Sequence, residues 1–188
     1  MKKKNGFTLV ELLAVIVVLA IIMIIAIPSV LDVMNNARRS SFALYIEKVI
    51  TAVQTQYVYD ANAGSISGAG YYVYDIKNDL SLTSTGDYNG YVVVDAKTYG
   101  VDNVHYYINM YDSNYMIIGW DVVDAGMPES DDENAIRPYQ ASDVNEKIST
   151  QVRACKTSIA NTLGDGTSID NIECYNRKGY KLSETASN

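Results

Sequence analysis

The chain has 188 residues, a formal charge of −7 and an apolar content of 48%, which fits one mid-sized domain or one domain with an appendage. The acidic balance argues against nucleic acid as a partner. Phosphate binding needs a Lys/Arg patch, and the sole basic cluster is Lys2-Lys3-Lys4.

Immediately after that cluster the chain becomes apolar. No charged side chain occurs from Leu12 to Leu31, and a run of about 20 such residues can cross a bilayer as one helix. The three lysines before it predict a cytoplasmic N-terminus, with everything after the span outside. Glu11 stands at the edge of this run. A lone carboxylate at that depth costs roughly 2.5–3.5 kcal/mol, so it calls for a partner. Pro28 lacks an N–H and predicts a kink or a loosened turn; the alternative is a helix end.

Beyond Pro28, Phe42, Ile46, Val49, Ile50, Val53 and Tyr57 recur at three- and four-residue steps, one stripe of a helix. One helix from near Phe7 to near Tyr59 is therefore expected, on the order of 80 Å long. Its second half must pack on something outside the membrane. The small-residue stretch from Ala61 to Gly70 ends it.

Four segments of strand composition follow: Tyr71–Ile76, Tyr91–Ala96, Val104–Tyr111 and Asn114–Val123. In the third, Val104, Tyr106, Ile108 and Met110 alternate with His105, Tyr107, Asn109 and Tyr111, the pattern of a half-buried strand. Asp112-Ser113-Asn114 is turn chemistry and predicts an antiparallel hairpin. The sheet's apolar face is the natural cover for the helix stripe. Further on, Val144, Ile148, Val152, Cys155, Ile159 and Leu163 fall at helical spacing. Asp143 and Glu146 read as a capping box and Gly164 as the stop.

The expected fold is thus α+β: a long N-terminal helix, first transmembrane and then amphipathic, packed on a small antiparallel sheet, with a C-terminal helix. Cys155 and Cys174 lie in the exported part, where thiols are commonly oxidised. Their spacing fits no zinc or redox motif, so a bridge is expected and two buried free cysteines are the alternative.

No catalytic set is legible, and the reading is of a structural protein rather than an enzyme. His105, the single histidine, has no nucleophile motif around it and reads as a surface or satisfied strand residue. The acidic loop offers Asp124, Asp131 and Asp132 as candidate calcium ligands. It lacks EF-hand spacing, and a solvated loop with no metal or other cofactor is the expectation.

The arrangement KKKNG followed by FTLVELLAVIVVLAIIMIIAIP resembles the prepilin leader of type IV pilins and the related pseudopilins. A secretory signal would instead have a shorter apolar stretch and a small-residue cleavage site after it. The resemblance implies residues 1–6 as leader, 7–31 as the membrane and polymerisation half of the helix, 32–60 as its amphipathic half and 61–188 as an extracellular head. It implies cleavage between Gly6 and Phe7 by a prepilin peptidase, and N-methylation of Phe7. Glu11 and Pro28 then fall at the fifth and twenty-second mature positions, both matches to the family. In the family's filament that glutamate faces the N-terminal amine of a neighbouring subunit. The implied partners are other pilin subunits, the peptidase and, before assembly, the cytoplasmic membrane. Three readings follow: a pilus subunit for adhesion, motility or DNA uptake, a pseudopilin of a type II secretion system, and a monomeric single-pass anchored binding domain.

Overall fold

A computed structural model describes residues 8–66, 68–82, 87–160, 168–169 and 172–183. The chain divides into two compact units, Met1–Arg38 and Arg39–Asn188. Helix α1 spans Leu9–Asn62 and contributes to both, and helical backbone continues through Pro28. The pyrrolidine ring removes one donor, so the Ile24 carbonyl loses its helical partner while the helix persists.

In the second unit, α1 ends where its sequence says it should. Gly64 takes φ +72°, with Gly64 N–H donating to the Ala61 carbonyl (3.1 Å) and Ser65 N–H to the Asp60 carbonyl (3.0 Å). These are the paired bonds of a Schellman stop, which needs a left-handed residue that glycine supplies without strain.

Strands β1 (Tyr71–Asp75), β2 (Asn89–Asp95), β3 (His105–Tyr111) and β4 (Tyr115–Asp121) form consecutive antiparallel pairs. The expected hairpin is present: Asp112 Oδ1 accepts from Asn114 N–H (2.6 Å) and Tyr115 N–H (2.7 Å). The same device recurs after β1, β2 and β4, where Asp75, Asp95 and Asp121 accept the backbone amides two and three residues on. Aspartate suits this role because its short carboxylate mimics a turn carbonyl. Part of the chain's acidity is therefore turn chemistry.

The sheet differs from expectation in two ways. It has six strands, in order β5-β4-β3-β2-β1-β6, because β5 (Arg137–Pro138) and β6 (Cys174–Asn176) join its edges. It is also mixed rather than antiparallel, since β6 runs parallel to β1 with Cys174 opposite Tyr71.

Strand β3 is buried on both faces rather than half-buried. Tyr106, Ile108 and Met110 join Phe42, Ile46, Val49, Ile50 and Val53 of α1 in one core. On the other face Tyr107 meets Val93, Cys155, Ile159 and Cys174. The second cover is the C-terminal helical region, which makes this unit three layers. That region is broken where one helix was expected. It comprises α2 (Ala141–Asp143), a π-helical turn at Val144–Ile148, and α3 (Gln151–Ala160). The capping box is absent, since Asp143 is already helical and makes no cap bond. Its carboxylate instead lies 3.5 Å from Lys147 and 3.9 Å from Arg137. Thr150 restarts the helix by accepting Arg153 N–H. Leu163 and Gly164 lie outside the described residues.

Two polar links fix the layers. Asn109, fully buried, donates to Ser158 of α3 (2.9 Å) and accepts from Gly119 N–H (2.9 Å) at the β3–β4 bulge. Gly90 makes the neighbouring close approach: a Cβ there, at φ +137°, would lie 2.0 Å from the Asn109 carbonyl oxygen. At the end of α1, buried Asp60 accepts from Gln56 (2.8 Å), Tyr74 (3.3 Å) and Arg177 (3.2 Å). Arg177 also donates to the Asp79 carbonyl, tying the C-terminal segment to the helix end.

Removing Arg177 leaves a buried, uncompensated carboxylate. Arg177→Leu is expected to cost about 3 kcal/mol, and Asp60→Asn added to it should recover a large part. Guanidinium unfolding of the full chain in micelles, followed by tyrosine fluorescence, measures both.

Candidate functional site

In the first unit every described residue from 8 to 38 is exposed. Most side chains from Leu12 to Leu31 are large and apolar, with Ile24 and Ile25 each 73% exposed. Soluble proteins rarely show contiguous apolar surface beyond a few hundred Å². This is the one described helix long and apolar enough to cross a membrane, and its surface requires lipid or other apolar helices around it.

Glu11 has a local partner that the sequence reading missed. Thr8 N–H and Thr8 Oγ1–H both donate to Glu11 Oε2 at 2.8 Å, and Glu11 N–H returns a bond to Thr8 Oγ1 at 3.3 Å. Leu12 N–H donates to the Thr8 carbonyl, which makes Thr8 the N-cap and Glu11 the third helical residue. The arrangement is a reciprocal capping box, and Thr-x-x-Glu was its visible signal. The carboxylate also faces the positive end of the helix dipole. All three described bonds leave Glu11 Oε1 uninvolved. Gly6 and Phe7, the expected cleavage and methylation positions, lie outside the described residues.

The prokaryotic N-terminal methylation motif matches residues 1–27, which contain Gly6, Phe7, Thr8 and Glu11. The chain begins with the class III signal of type IV pilins and pseudopilins. Together with the apolar helix, that signal supports a membrane-anchored protein. Neither the curated proteins nor the solved structures provide a match to the chain.

The remaining candidates lie in the second unit. Cys155 of α3 and Cys174 of β6 are bridged, with Cα atoms 6.4 Å apart, and both are buried. The bridge holds a strand of three residues against β1 and anchors α3 over it.

The acidic candidates do not converge as a set. Asp131 and Asp132 line a shallow depression with Trp120, Met127 and Glu129, and Asp132 accepts the amides of Asn134 and Ala135 in a turn. Asp124 stands elsewhere, with Asp121 and His105. His105 Nδ1 is 2.7 Å from Asp121 Oδ2 and 4.0 Å from Asp124 Oδ2. Its ring stacks on Tyr99, with centroids 3.4 Å apart and planes at 8°. Nearby, burial pushes the Tyr107 phenol well above its ordinary value, followed by the Tyr99 hydroxyl and the Asp121 and Asp95 charges. The histidine is thus a satisfied strand residue in an acidic setting, as its isolation in the sequence suggested.

The Thr8 cap predicts a local effect. Thr8→Val should cost about 1 kcal/mol at the helix start, read as faster hydrogen exchange at the first helical amides in micelles. Thr8→Ser should exchange as the parent does.

Proposed function

We propose that this protein is the structural subunit of a type IV pilus or pilus-like filament, cut between Gly6 and Phe7, N-methylated at Phe7 and assembled through α1. The observation that carries this reading is the Thr8–Glu11 arrangement within the methylation motif, at the head of an apolar helix. Cleavage before Phe7 creates an ammonium one residue from the cap. In a bundle of such helices, Glu11 Oε2 stays on Thr8 while Oε1 accepts the amine of the neighbouring subunit. Each charge then offsets the other's desolvation, and a slipped register would leave both unpaired.

Before assembly the lysine leader keeps the N-terminus in the cytoplasm and the second unit outside. After assembly the helices form the filament core and the disulfide-tied units its exterior. The late cysteine bridge suits the pilus over the secretion piston, and the acidic side chains that would favour the secretion relative do not converge.

Glu11→Ala tests the reading against a monomeric anchored domain. The variant should accumulate normally in the membrane fraction and yield no sheared surface filaments by electron microscopy. Filaments at parental abundance from Glu11→Ala would contradict assembly through this carboxylate.

A further inference from the structure

We propose that His105, Asp121 and Asp124 form a binding site for a divalent first-row transition cation of the zinc class, in the second unit where β3 begins and β4 ends. The three side chains offer one nitrogen and two carboxylate oxygens within 4.8 Å of one another. An imidazole nitrogen with two carboxylates is a donor set for zinc or manganese; calcium and magnesium take oxygen alone.

The site is built rather than incidental. His105 and Asp121 leave strands β3 and β4, so rigid backbone sets their separation. The Tyr99 stack holds the imidazole plane. Asp121 is fixed at its other oxygen, where Oδ1 accepts Val123 N–H (2.9 Å), leaving Oδ2 for a cation. Asp124 follows in the same turn, and its side chain is 70% exposed against 9% for His105, so one flank opens to solvent for entry and for water ligands.

A second observation points to a cation. Asp95 stands directly opposite His105 in the β2–β3 ladder, which places both side chains on one face of the sheet. It is fully buried, and its Oδ2 has no hydrogen-bond partner among the described residues. A buried carboxylate oxygen without a donor is costly. Two carboxylates at the imidazole, with Asp95 on the same face of the sheet, leave excess negative charge, which a divalent ion offsets. On binding, the cation takes the Nδ1 lone pair of the imidazole. The proton now between Nδ1 and Asp121 moves to Nε2, or is released to solvent if Nε2 already carries one. The ion would clip the turn after β4 to β3.

The single histidine gives a direct test. Full-length protein carrying 15N-labelled histidine in micelles is titrated with zinc chloride and followed by long-range 1H–15N correlation. The expected result is a shift of the Nδ1 resonance saturating at one equivalent, with calcium at the same concentration leaving it unmoved. Zinc at a hundredfold excess over Kd should raise the midpoint of head unfolding by roughly 5–10 °C. Asp124→Asn, an exposed change that leaves the fold intact, should weaken zinc binding by at least about tenfold. The pair Asp131→Asn and Asp132→Asn should leave it unchanged. An unmoved Nδ1 at millimolar zinc, parental affinity in Asp124→Asn, or an equal response to calcium would each overturn the proposal.

Discussion

A carboxylate at the head of an apolar helix must be neutralised in every state that helix passes through, and the first unit is organised around that demand. In the single chain, the Thr8 amide and hydroxyl meet Glu11 with two short bonds, and the helix dipole adds to them. This local arrangement removes much of the penalty that made Glu11 conspicuous. It also fixes where the carboxylate points. Pre-orientation matters for assembly, because a charge already held in place loses less entropy when a second partner arrives. Glu11 is thus satisfied enough to reside in a membrane, and in the proposed filament the same pre-orientation would select a register.

The second unit solves a different problem, that of covering both faces of one small sheet. Helix α1 covers one face with an aromatic and β-branched stripe, while α3 covers the other through Cys155, Ile159 and Ser158. The far edges are closed by very short strands that could not pair alone. The disulfide positions β6, and Arg177, three residues beyond Cys174, reaches Asp60 at the end of α1. The last part of the chain therefore locks the first part of the domain.

What could be read from the sequence was what has a period or a fixed chemistry. The α1 stripe, the four longer strands, the Asp112 turn and the cysteine pair all follow from side-chain spacing or composition. Strands of two or three residues carry no period, so β5 and β6 were invisible. The second buried face of β3 was hidden because Tyr107, Asn109 and His105 read as polar, although Asn109 is satisfied by Ser158, 49 residues away. The break before α3 was hidden by a continuous apolar spacing that ran straight through Ser149 and Thr150. The Thr8 cap is legible as Thr-x-x-Glu, whereas the apolar run around Glu11 points to a partner across subunits. The grouping of Asp124 with His105 instead of with Asp131 depends on strand pairing, which local sequence does not encode.

In the proposed filament the leader is removed so that Glu11 meets an amine. The intact mass and N-terminal sequence of the protein from native membranes test this most directly. Processing as proposed gives a chain that begins at Phe7 with one amine hydrogen replaced by a methyl group. A chain that still begins at Met1, or one cut beyond the apolar run, would contradict it.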